Sequence, residues 1–224
     1  MNQISMKQRR ISSVLKIIVI LSALIGTFLS AYAGRQYFMG GSRLFMYFTI
    51  QSNIAIAAIC AFGLYLIQKG KKVSNTWYVI KFVGTVSITL TGVVFCVILA
   101  PTLGVYAWNI QNILTHVVVP VVSVADFFVI APKAGIHRKN VIFVIIPPIL
   151  YAIYAAIGYV NGWEFADGIN YPYFFLNWGS PAGAFGFTSE FPFMGTVWWI
   201  LLLLGFLILV GNCYLAIADK MKKK

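Results

Sequence analysis

Long apolar runs alternate with short polar breaks along this chain. Six runs reach the ~20 helical residues needed to cross a bilayer core: roughly 14–33, 44–67, 78–100, 110–131, 141–160 and 193–217. The pattern predicts an all-α polytopic membrane protein: six transmembrane helices in one bundle, a single domain over residues 1–224. No internal repeat and no soluble domain is visible. The breaks are short except for 161–192, a Gly-, Pro- and aromatic-rich loop. Its Tyr and Trp suit a headgroup level, and its length suits a lid.

Polar residues inside the apolar runs are informative, because lipid-facing helices need none. In the second run Thr49, Ser52 and Asn53 fall at i, i+3 and i+4, on one face. In the fourth, Asn109, Asn112 and His116 fall at i, i+3 and i+7. Counted from the starts of their runs, Thr49 and His116 lie at one depth, roughly 8–9 Å in. The spacing permits a shared site. Pro120 lacks the N–H that would bond the carbonyl of His116, so it predicts a kink with that carbonyl released; Pro147-Pro148 in the fifth run reads as the same device.

Each residue also has a plain reading. Thr49 can back-bond to its own helix, Ser52 and Asn53 can glue two helices together, and His137 belongs to a solvated basic loop. An intramembrane histidine is costly enough to be a functional candidate. Asp126, the one acid inside a run, lies ten residues past His116, about 15 Å of rise. That rules out a Thr-His-Asp triad. The reading for Asp126 is an interfacial carboxylate about one turn from the helix end, partnered by Lys133, Lys139 or Lys81. The group orienting His116 is then Asn112, a third-helix hydroxyl such as Thr91, or the outer loop.

Composition agrees with a lipid solvent: 60% of residues are apolar and 10% charged. Fifteen of the seventeen basic residues fall on one side of the predicted spans, with only Arg35 and Arg43 opposite. The positive-inside rule makes the rich side cytoplasmic, with both termini inside and the protein integral to the plasma (cytoplasmic) membrane. Basic flanks beside anionic lipid account for the net charge of +12 without nucleic acid. Ala31-Tyr32-Ala33 resembles a signal-peptidase site. However, the run before it is long and carries Ser22, Gly26, Ser30 and Gly34 at a spacing of four, which suits close helix packing. Cys60, Cys96 and Cys213 show no metal spacing and predict no disulfide. No cofactor, metal or nucleotide is called for, and nothing specifies an oligomeric state.

A threonine beside a neutral histidine can do acyl chemistry. The imidazole takes the hydroxyl proton during attack on a carbonyl, and amide donors such as Asn53, Asn112 and Gln51 can receive the oxyanion. Thr plus His is by itself a weak motif. The stretches YFTIQSNI (47–54), THVVVPVVSVAD (115–126) and YPYFFLNWG (171–179) resemble the androgen-induced family of six-pass membrane proteins, most closely its bacterial branch. Animal members are threonine hydrolases of fatty acid esters of hydroxy fatty acids. The resemblance implies Thr49 as nucleophile and His116 as acid and base, with Pro120 and Asp126 as motif residues. The implied partners are membrane lipids and a fatty-acyl ester. The residues dressing Thr49 depart from the animal pattern. The competing readings are a small-solute or proton-coupled transporter and a lipid-binding protein without chemistry.

Overall fold

The computed structural model describes residues 5–34, 41–71 and 73–222. Arg35, Lys72, Lys223 and Lys224 lie outside them, as does the side chain of Lys133. Six helices are long and apolar enough to span a membrane, and among the described residues there is no strand. The expected all-α architecture is therefore the observed one. The long helices are α1 (Met6–Gly34), α2 (Phe48–Gln68), α3 (Asn75–Val94), α4 (Val119–Ala134), α5 (Ile146–Val160) and α6 (Thr196–Lys222). α1 packs on α2 and α4, and α3 runs between α2, α4 and α6. α3 is the most buried span, and its Phe82, Val86, Leu90 and Val94 anchor the main core. Below, the base is the end of the bundle where α1 begins; the loop end is the end that carries residues 161–192.

Local chemistry sets the helix limits. Ser74 caps α3 by accepting the Trp77 N–H at 3.2 Å. α2 closes in a Schellman motif: Lys71 N–H bonds the Leu66 carbonyl, Gly70 N–H bonds that of Ile67, and Gly70 takes φ +61°.

Two prolines leave their mark inside spans. Before Pro120, residues Leu114–Val118 open into a π turn, and before Pro101 residues Phe95–Leu99 do the same. A proline ring clashes with the carbonyl four residues back, and the wider turn relieves the clash. The expected kink at His116 thus takes the form of a π turn holding the histidine. Its carbonyl lies against Gly92, where an added Cβ would come within 2.9 Å of it and within 3.1 Å of the Pro120 ring. Pro147-Pro148 does not repeat the device. The pair sits in the first turn of α5, after a 3-10 stretch at Arg138–Ile145, where a missing N–H breaks no helical bond. The small-residue stripe of α1 packs closely where Gly26 meets Thr115 and Leu114.

Residues 161–192 fold back onto the bundle. Phe165, Ala166, Phe175 and Leu176 are buried. Tyr47 donates to the Phe165 carbonyl at 3.1 Å, and Arg43 pairs with Glu164 at 2.8 Å and with Asp167. The loop is therefore pinned into the mouth of the bundle. Phe185, Phe187, Phe191 and Phe193 remain exposed.

Candidate functional site

A narrow cavity of about 60 Å³ opens beneath the loop. Leu90, Val94, Leu99, Pro148, Ile200 and Leu203 make its walls apolar, and the hydroxyl-bearing residues on it are Thr49, Thr91, Tyr151 and Tyr173. No charged residue lines it.

Thr49 is the second residue of α2, because Arg43–Met46 forms a separate 3-10 turn and Tyr47 is extended. This corrects the depth match: Thr49 sits at the helix tip rather than a turn inside it. Its backbone N–H is one of the four that a helix start leaves without an internal partner. The Tyr173 hydroxyl accepts it at 3.3 Å and lies 3.4 Å from Thr49 Oγ1. Tyr173 stacks on Phe175 with ring centroids 5.0 Å apart and meets Tyr47 edge-on at 5.8 Å. Burial pushes the Tyr173 and Tyr47 phenols above the ordinary tyrosine range, which keeps both as proton donors.

The amides expected as oxyanion donors are otherwise engaged. Both protons of Asn53 Nδ2 are used, on the Thr49 carbonyl at 2.8 Å and the Thr115 carbonyl at 3.1 Å, while its buried Oδ1 has no partner among the described residues. Asn53 is a strut between the second and fourth spans. Gln51 is exposed and donates to the Phe45 carbonyl. The Asn112 side chain donates to the Ala107 carbonyl, and Asn109 caps the short turn Ile110–Ile113. Thr91 does not orient the histidine. Its hydroxyl meets Ser52 Oγ at 2.8 Å, and Ser52 reaches the Thr49 carbonyl at 3.0 Å.

His116 is oriented by the backbone. Nδ1 lies 3.1 Å from the Asn112 carbonyl and 3.0 Å from Thr115 Oγ1, whose own proton goes to the Gln111 carbonyl. A carbonyl can only accept, so this network assigns the proton to Nδ1 and leaves the Nε2 lone pair unused among the described residues. The ring stacks on Phe95 with centroids 3.8 Å apart, so the two π turns meet at this contact. His116 does not line the cavity, and no hydrogen bond joins it to Thr49. Leu90, Thr91 and Val94 turn one face of α3 to the cavity; Gly92 and Phe95 turn the adjacent face to His116.

Asp126 is a carboxylate enclosed within the bundle. It is fully buried eight residues before the end of α4, with Lys16 Nζ at 2.7 Å and Lys81 Nζ at 2.7 Å. Lys139 is exposed and is not among its partners. Lys81 was an expected partner; Lys16 was counted among the flanking charges. Tyr173 was seen only as an interface aromatic, although the aromatic cluster at 171–178 marked its neighbourhood. Among the described residues no group of His, Cys, Asp or Glu could hold a metal. Compared with known family models, curated proteins and solved structures, the chain matches none.

Proposed function

We propose that this protein binds a lipid carboxylic ester in the cavity beneath the loop and hydrolyses it with Thr49. The observation that carries the reading is the cavity itself: apolar walls for an acyl chain, no charge, and a threonine hydroxyl at its rim beside a phenol. Basic residues near the base and the acidic loop at the other end favour a base on the cytoplasmic side of the plasma membrane, with the cavity in the outer half.

In this reading Thr49 Oγ1 attacks the ester carbonyl and the Tyr173 hydroxyl donates to the oxyanion, since Tyr173 lines the cavity and Asn53, Asn112 and Gln51 do not. The resemblance to the androgen-induced family supports His116 as the group that takes the threonine proton and returns it to the leaving alcohol, and then takes a proton from the water that releases the acid from the acyl-threonine. Its Nδ1–H tautomer suits a base acting through Nε2. That role requires Nε2 to come within about 3 Å of Thr49 Oγ1, directly or through one water, when substrate is bound.

A second reading, lipid binding without chemistry, draws on the placement of His116 and the cavity on different faces of α3. Purified protein and a panel of lipid esters separate the two. Under the hydrolase reading, wild type cleaves an ester and is labelled by a fluorophosphonate probe. Thr49→Ala abolishes both, and His116→Ala slows turnover by about 10²–10⁴-fold. Lipid binding that survives with no turnover in wild type overturns the hydrolase reading and leaves the second.

A further inference from the structure

The most charged place in the bundle lies far from the cavity. Lys16 of α1, Cys60 of α2, Lys81 of α3 and Asp126 of α4 converge, each at most 2% exposed. Lys16 Nζ donates to both Asp126 oxygens at 2.7 and 2.8 Å and to Ser12 Oγ at 2.6 Å. Ser12 donates to Asp126 at 2.6 Å. Lys81 Nζ lies 2.7 Å from Asp126 Oδ2 and 3.4 Å from Cys60 Sγ. Counted from the helix ends at the base, these residues lie six to ten positions in, roughly 9–15 Å of rise. The site is buried within the bundle.

Its charges do not balance. With every group in its ordinary form, two ammoniums face one carboxylate, a net +1 on side chains at most 2% exposed. An unpaired buried charge is among the costliest arrangements in a fold. Loss of one proton, from Cys60 Sγ–H or from a lysine Nζ, brings the cluster to zero. The Lys81–Cys60 contact is where both forms of that neutral state, thiolate with ammonium or thiol with amine, share a hydrogen bond.

Access is one-sided. Ser5, Gln8, Ser12 and Lys16 form a polar stripe on one face of α1 at spacings of three, four and four. It runs from exposed Ser5 through half-buried Gln8 to buried Ser12. On the other side Val19, Ile56, Ile88 and Val119, all 0% exposed, pack into an apolar layer.

We propose that Lys16, Cys60, Lys81 and Asp126 form a proton-binding site reached from the base of the bundle. It takes up one proton in passing from net zero to net +1 and releases it along the Ser12–Gln8 stripe. Among the described residues the titratable groups facing it are those four, one from each helix packed there.

The full-length protein in mixed micelles tests this by unfolding between pH 7 and 9, above the range where unfolded histidines titrate. A neutral folded cluster holds one proton fewer than the unfolded chain. The wild-type folding constant then rises with pH by up to about tenfold per unit. Lys81→Met leaves an equal Lys16–Asp126 pair and removes that slope. Parallel slopes in wild type and Lys81→Met overturn the proposal. If that variant does not fold, Cys96→Ser/Cys213→Ser protein supplies a second measurement. The Cys60 S–H stretch and the ¹⁵N signals of Lys16 and Lys81 read every place the proton can sit. A thiol and two ammoniums unchanged across the range overturn the proposal; loss of one proton from the set supports it.

Discussion

The second, third and fourth spans build two polar sites, and the two have opposite characters. Near the loop end the groups are neutral hydroxyls, an amide and an imidazole, set among π turns and bordered by a cavity. At the base they are charges, closed off and hydrogen-bonded to one another. Neutral groups leave room for incompleteness: Asn53 Oδ1 is buried without a partner among the described residues, and the Thr49 hydroxyl makes a long contact of 3.4 Å to Tyr173. A buried ion allows no such slack, because removing one partner strands the other in a medium that cannot solvate it. The loop-end site can therefore change partners at little cost, whereas the base site cannot lose one cheaply.

The sharpest way to break this contrast is to compare losses of stability. Asp126→Asn removes the carboxylate shared by the buried Lys16 and Lys81 and should cost about 3–5 kcal/mol, read as loss of folded protein in detergent unfolding. Thr49→Ala should cost at most about 1.5 kcal/mol in the same assay. Equal losses would mean that the loop-end site is as structural as the base.

Packing at the π turns comes next. Gly92→Leu places a side chain where the His116 carbonyl and the Pro120 ring already lie within 3.1 Å of the Cβ position, so about 1–3 kcal/mol should be lost. A neutral outcome would show the turn to be soft.

The smallest effect belongs to the loop latch. Arg43 is 30% exposed and its acidic partners more so, so Arg43→Ala should change stability by no more than about 1 kcal/mol. Raising salt should shrink even that, in thermal unfolding at two ionic strengths.

The six spans were readable because apolar run length is a direct consequence of bilayer thickness. Finer placement was not. Counting from residue 44 put Thr49 a turn inside its helix; an intervening 3-10 turn moves the true start to Phe48. Nothing in the alternation of apolar and polar residues distinguishes those two backbones. Lys16 sits near the edge of an apolar run and reads as a flanking charge, because hydropathy cannot tell a lysine that reaches water from one that turns inward. The stem of Lys16 does turn inward, over Gly63, where a Cβ would come within 2.7 Å of its Cε. Tyr173 comes from a loop, where neither helical nor strand period applies. The proline effect at His116 was legible because ring sterics act locally; that it would be absorbed as a π turn depended on Gly92 from another helix.

That widened turn also fixes how the fourth span is indexed. It carries one residue more than an ordinary α turn, so the segment ahead of it and the segment behind it keep separate rotational registers. Deleting a single residue between 114 and 118 would let the span wind evenly and swing Asn109–Ile113 by about 100° relative to Asp126. The insertion thus works as a clutch: it lets one helix aim an imidazole at one set of neighbours and a carboxylate at another, with neither orientation dictating the other.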